Sequence, residues 1–182
     1  VETDVPYAVK CAWKNKFNEK ISQPVIAHGK VYLSAVNSHT VYALEADSGK
    51  EAWSFVAGAR VDSPPTIYKG MAIFGCADGC IYAVSAADGE LVWKFRAAPT
   101  ERRIMAFNQP ESVWPISGSV LVQDGKLYCV AGRIMFTDGG LRMVILNPET
   151  GELVSENVMD QKVPGSDQEL PDLLMGKHMP VA

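Results

Sequence analysis

The sequence predicts an all-β fold, a β-propeller of four-stranded antiparallel blades, on three observations. Trp13, Trp53 and Trp93 recur at intervals of 40 residues, a spacing that suits one blade per repeat. Short runs of β-branched and aromatic residues are separated by the turn formers His28-Gly29, Ser48-Gly49, Lys69-Gly70, Asp88-Gly89 and Asp124-Gly125. No stretch carries a helical apolar period long enough for the crossover that a parallel sheet requires.

Taken in order, residues 1–21 read as the outer strand of a preceding blade, centred on CAWKNKF. Residues 22–62 form a blade that opens with SQPVIAHGKVYLS and closes with YALEADSGKEAW. Residues 63–116 repeat both phrases as SPPTIYKGMAIFG and YAVSAADGELVW, with strands expected near 65–69, 71–76, 80–85 and 90–96 and a long following loop. Residues 117–163 repeat them again as SGSVLVQDGKLYCV and VILNPETGELVS, with Ser155 where tryptophan stood before. Residues 164–182 read as a loop and the start of another blade, because HMPVA resembles SQPVI. The sum is about three blades plus partial flanking strands. Three blades cannot close a ring, so the remaining blades are expected from a longer parent chain or from another copy.

The chain has 182 residues, 47% apolar and 21% charged, enough to build a sizeable core. A formal net charge of -4 with no basic stripe argues against a nucleic-acid partner. No apolar run approaches the roughly 18 residues of a membrane span. Cys11, Cys76, Cys80 and Cys129 fit neither a zinc frame nor a haem-attachment motif, and no metal site is read from them. Cys76 and Cys80 flank a hairpin tip at Ala77-Asp78-Gly79, either as a cross-strand disulfide or as two small buried thiols.

The repeated phrase carries Ala43, Glu45, Ser48, Gly49 and Trp53, then Ala83, Ser85, Asp88, Gly89 and Trp93, then Asn147, Thr150 and Gly151 with Ile145 in place of the alanine. This resembles the A-x-D-x-x-T-G-x-x-x-W motif of PQQ-like repeat propellers. The resemblance implies a structural role for Trp13, Trp53, Trp93, Gly49, Gly89 and Gly151, each indole docking between blades beside a glycine turn. Burying one face of such an indole contributes at most about 4 to 6 kcal/mol. The stretches ERRIMAFNQPESVWPISGSV and AGRIMFTDGG are similar to an exported bacterial type of that family, which implies a periplasmic or extracellular location.

In such a blade the connections from second to third strand and from fourth to the next first strand share one face. Here that face is elaborated at 97–115, 133–140 and 159–178, while turns on the other face stay short. Long loops on a rigid scaffold commonly carry binding. The candidate ligand-binding residues are Arg102, Arg103, Asn108, Gln109, Glu111, Trp114, Arg133 and Asp138. Paired guanidiniums suit a carboxylate or phosphate, and Trp114 offers a stacking face. The competing account pairs Arg102 or Arg103 with Glu111 and Arg133 with Asp138 to pin the loops, with Trp114-Pro115 plugging the blade junction.

Two functions follow. The favoured one is a non-catalytic binding or scaffold module that holds a protein, peptide or glycan through the long-loop face, as the resemblance to propeller-type outer-membrane assembly lipoproteins implies. The alternative, implied by other relatives of the repeat, is part of a quinoprotein alcohol or sugar dehydrogenase with PQQ and calcium as cofactors. Its adjacent Cys-Cys pair is missing, and Asp160, Asp167, Glu169 and Asp172 do not follow a calcium-loop spacing. No catalytic residue is assigned: His28, His39 and His178 have no nucleophile motif beside them.

Overall fold

The computed structural model describes residues 10–160 and Lys162. Residues 10–20 form no regular strand, and HMPVA lies outside the described residues. The first sheet contains β1 (Val25–Ala27), β2 (Lys30–Ala35), β3 (Thr40–Glu45) and β4 (Glu51–Val56). The second contains β5 (Thr66–Tyr68), β6 (Met71–Gly75), β7 (Cys80–Ser85) and β8 (Leu91–Arg96), close to the expected limits. A two-stranded hairpin follows, β9 (Arg103–Ala106) and β10 (Gln109–Ser112). The third sheet contains β11 (Leu121–Gln123), β12 (Lys126–Ala131), β13 (Leu141–Leu146) and β14 (Leu153–Met159). Each four-stranded sheet pairs its strands in sequence order, and every pairing in it is antiparallel. These are propeller blades, and no helix occurs among the described residues.

The short turns explain the repeat spacing. His28-Gly29, Lys69-Gly70 and Asp124-Gly125 have positive φ at both positions, the pattern of a two-residue type I′ turn whose twist matches that of the strands it joins. Every pairing of third with fourth strand shifts register at one place, between Ala43/Leu44, Ala83/Val84 and Ile145/Leu146. Just before the shift a small residue faces a tryptophan: Ala43 opposite Trp53, Ala83 opposite Trp93. In the third blade the same pair is Ile145 opposite Ser155. The large and small partners have exchanged strands, which keeps the volume of the pair similar.

Alternate residues along the inner strands face the two neighbouring blades, so two cores are built between three sheets. Tyr32, Val41 and Ala43 of the first blade pack with Ala72, Phe74, Tyr82 and Val84 of the second. Ile73, Ile81 and Ala83 on the other side of the second blade pack with Leu127, Cys129, Val144 and Leu146 of the third. Each indole reaches one blade onward. Trp13 Nε1 donates to the Ala46 carbonyl at 2.7 Å, Trp53 Nε1 to Ala86 at 3.1 Å and Trp93 Nε1 to Pro148 at 3.1 Å. The ring lies against a turn glycine, such that a Cβ on Gly49, Gly89 or Gly151 would fall 2.5 to 2.7 Å from Trp13, Trp53 or Trp93 respectively.

That geometry separates two effects of a glycine. Gly89 has φ +80 and Trp53 at 2.7 Å from its virtual Cβ, whereas Gly70 has φ +77 and open space around it. Gly70→Ala is expected to cost about 1 kcal/mol through the left-handed backbone alone, and Gly89→Ala about 3 kcal/mol because the indole must also shift. Parallel chemical denaturation of the two variants checks the difference.

Candidate functional site

The elaborated face is organised by the β9–β10 hairpin, in a stretch where the sequence predicts a long loop. Its turn is Phe107-Asn108, with φ of 50 and 62, another two-residue type I′ turn. Register places Ile104 opposite Glu111 and Ala106 opposite Gln109 on one side, Arg103 opposite Ser112 and Met105 opposite Pro110 on the other. The first side faces the blades. Glu111 is fully buried, and Gln109 bridges to the first blade: its Oε1 lies 2.8 Å from His39 Nε2 and its Nε2 donates to the Asn37 carbonyl at 3.1 Å. Since an amide oxygen can only accept, His39 Nε2 carries the proton there.

The base of the hairpin rests on the tip joining β6 to β7. Ser112 N–H donates to the Ala77 carbonyl at 2.8 Å, Ile116 N–H to Cys76 at 3.1 Å, and Ala97 and Ala98 N–H both to Gly79 at 3.0 Å. Cys76 and Cys80 close that tip as free, buried thiols, which decides between the two readings of the pair. Burial pushes the Cys80 thiol up to about 11 and Cys129 up to about 12, and it raises Cys76 in the same sense. Beside them Tyr82 Oη donates to Asp78 Oδ2 at 2.6 Å, and Lys94 Nζ stands 3.6 Å from the same oxygen.

Under the hairpin lies a charge cluster built from three separate connections. Glu111 Oε1 is 2.7 Å from Arg60 Nε and Glu111 Oε2 is 2.6 Å from Arg133 Nη2. The first is a charge contact without a directed hydrogen bond; the second is hydrogen-bonded. Arg60 also pairs with Asp62 at 3.0 Å, and its guanidinium lies 4.0 Å from the centre of the Phe107 ring. Two arginines and two acids balance, which is what a buried cluster requires. Arg102 pairs with Asp138 at 3.0 Å nearer the surface.

The predicted pairings are therefore corrected: Arg133 meets Glu111, and Arg102 meets Asp138. The hairpin folds Glu111 inward, under its own strand and beyond reach of Arg102. Trp114 is also corrected as a stacking face, because it is only 7% exposed and sits in the core between second and third blades. Its Nε1 donates to the Asp138 carbonyl at 3.0 Å, so it holds the 133–140 segment in place. Arg103 and Asn108 are exposed, and Arg103 has no ion-pair partner among the described residues. Sequence reasoning missed Arg60, Asp62, His39 and Phe107. It also passed over the apolar side chains of the two loops, although Arg103-Ile104-Met105-Ala106-Phe107 and Arg133-Ile134-Met135-Phe136 place them conspicuously in otherwise polar stretches. Ile104, Met105, Phe107, Ile134 and Phe136 are all exposed.

A family model described as outer membrane protein assembly factor BamB matches residues 10–173. Among curated proteins, a quinoprotein ethanol dehydrogenase of Pseudomonas aeruginosa is 24% identical over 174 residues, which are 84% of this chain and 26% of that protein. An outer membrane protein assembly factor BamB of Yersinia pestis is 26% identical over 162 residues, 85% of this chain and 40% of that one. Among solved structures, quinohemoprotein alcohol dehydrogenase from Comamonas testosteroni aligns with a TM-score of 0.62 at 22% identity, covering 77% of this chain and 21% of that one. BamB from Moraxella catarrhalis aligns with a TM-score of 0.52 at 22% identity, covering 82% and 53%. The chain thus spans well under two thirds of these relatives, and the structural likeness is one of fold.

Two outcomes are expected from this site. Glu111→Gln leaves the buried Arg60 and the partly exposed Arg133 against a neutral group, and a loss of about 2 to 3 kcal/mol is expected in denaturant unfolding, with faster proteolysis within 97–115. Raised thiol pKa values keep Cys76, Cys80 and Cys129 protonated and unreactive at about pH 8, so an alkylating reagent should modify exposed Cys11 quickly and the other three only after unfolding. Mass spectrometry of the native and denatured reactions reads this directly.

Proposed function

Since the chain belongs to the PQQ-like repeat β-propeller family, matched over residues 10–173, we propose that it is the exported, non-catalytic binding part of a larger propeller, holding a partner protein on its long-loop face. The observation that carries this reading is the pairing of a rigid base with an uncovered apolar surface. The hairpin is tied to the first blade through His39 and Asn37, to the second through Ala77 and to the 133–140 segment through Glu111. Above those ties stand Met105 at 71% and Phe107 at 70% exposure, with Ile134 and Phe136 on the adjoining segment. Large exposed apolar side chains on a preorganised surface are the ordinary mark of a protein contact.

The remaining blades of the propeller come from a parent chain or another copy. In support, Ile73, Ile81 and Ala83 of the second blade are fully buried by the third, while the matching side of the third blade leaves a groove of about 520 Å³ lined by Leu121, Tyr128, Val130 and Met143.

The second reading, a segment of a PQQ- and calcium-dependent alcohol or sugar dehydrogenase, is favoured by the likeness to the Pseudomonas aeruginosa enzyme. Against it, calcium needs several converging oxygen ligands. No three His, Cys, Asp or Glu side chains converge among the described residues in a way that would hold a metal. The guanidiniums of Arg102 and Arg133 are already engaged by carboxylates.

Two measurements on the longest available parent protein decide between them. Titration with PQQ and Ca²⁺, followed by a dye-linked alcohol and sugar oxidation assay, is expected to give neither saturable binding nor turnover. A photo-crosslinking residue at Met105 or Phe136 is expected to give a discrete protein adduct in the producing cell, while one at Lys30 on the opposite face gives none. Turnover with PQQ, or no adduct from any long-loop position, overturns the proposal.

A further inference from the structure

The outward side of the β9–β10 hairpin specifies what kind of segment it can hold. A two-residue turn makes Ala106 and Gln109 the hydrogen-bonded closing pair, so Ile104 and Glu111 form the next such pair. Arg103–Ser112 and Met105–Pro110 are then the non-hydrogen-bonded pairs, and Pro110, which has no N–H to give, fits that position. The backbone N–H and C=O groups of Arg103 and Met105 consequently point away from β10, along a strand edge whose residues are exposed. No other strand pairs with that edge among the described residues.

The side chains along the edge set the chemistry. The Arg103 guanidinium has no carboxylate partner among the described residues, whereas that of Arg102 beside it is paired with Asp138. Met105, Phe107 and Pro110 supply apolar area next to these charges. Phe107 is the most telling residue. Type I′ turns favour Asn or Gly, yet a bulky aromatic occupies the first turn position at φ 50, is 70% exposed and has the Arg60 guanidinium fixed 4.0 Å from its ring centre. An exposed aromatic ring at a left-handed turn position is better suited to a contact than to the turn it occupies.

We propose that the β9 edge takes an extended partner segment with an acidic and an apolar side chain two residues apart, the acid on Arg103 and the apolar group on Met105 and the neighbouring Phe107. This rests on the protein-binding reading above and goes beyond it in naming the partner's chemistry. Main-chain pairing along the exposed edge supplies an extended form, and residues two apart in a strand share one side, as Arg103 and Met105 do on β9.

The test is fluorescence anisotropy of the intact chain with a labelled Glu-Val peptide of about eight residues, Ser and Thr apart from one Glu and one Val placed two residues apart, against a Lys-Val peptide that carries Lys in place of the Glu. The Glu-Val peptide is expected to bind about tenfold more tightly, in line with opposite charges meeting on a partly exposed surface. Arg103→Glu should erode that preference about fivefold, as for an exposed ion pair. Phe107→Gly, which suits the turn and keeps it folded, should weaken the Glu-Val peptide about tenfold with unchanged circular dichroism. Equal binding of the two peptides, or a preference that survives Arg103→Glu, overturns the proposal. An adduct from Met105 in cells without this charge preference removes the acidic-segment chemistry and leaves the scaffold reading standing. Absence of any long-loop adduct removes the scaffold reading itself.

Discussion

Everything else in this chain depends on an indole from one blade lying on a glycine turn of the next. The contact needs three things at fixed separation: a tryptophan, carried on the outer strand at Trp53 and Trp93, a left-handed glycine in the neighbour, and a carbonyl at Ala46, Ala86 or Pro148 to accept the ring N–H. Meeting all three at each junction fixes the angle and distance between successive blades. It is also why the repeat length varies only in connections on one face. The third blade is the exception that obeys the same constraint: its Gly151 receives Trp93, while its own outer strand carries Ser155 and fills the vacated space with Ile145.

With the junctions fixed, the elaborated connections can be held without a core of their own. The hairpin gains its position from backbone bonds to the β6–β7 tip and from a balanced group of four charges beneath it. An ion-pair group of this kind is a poor source of net stability but a strong determinant of register, because Glu111 is fully buried and any other placement takes its carboxylate away from Arg60 and Arg133. Its role is to decide where the hairpin sits and which way its two sides face.

The blades were legible in the sequence because their signals are local: turn dipeptides, alternation, and a tryptophan period of 40. The second blade's strands fall within a residue or two of their expected limits for the same reason. The site was only partly legible. Glu111, Arg133, Arg102 and Asp138 were correctly suspected of pairing, but their partners depend on the hairpin fold, which Phe107-Asn108 disguises by lacking the usual glycine. Arg60 comes from a different connection, 51 residues before Glu111, and no periodicity links the two. Trp114 looked like a platform because it lies in a long loop; its burial follows from the close approach of second and third blades, which sequence spacing does not encode.

The placement of the β9–β10 hairpin has a consequence for how the molecule is assembled. The pairings within each sheet are short-range along the chain, so a blade can organise from its own 40 or so residues and lean on its neighbour as it does. The β9–β10 hairpin is different, since its anchors at His39, Arg60, Ala77 and Arg133 belong to connections spread across three blades. Its position therefore depends on all three blades being stacked, whereas each blade depends on its own strands and its neighbours. The exposed edge and its aromatic tip are formed only on a chain whose blades are already correctly stacked, which makes the surface itself a report on the completeness of folding.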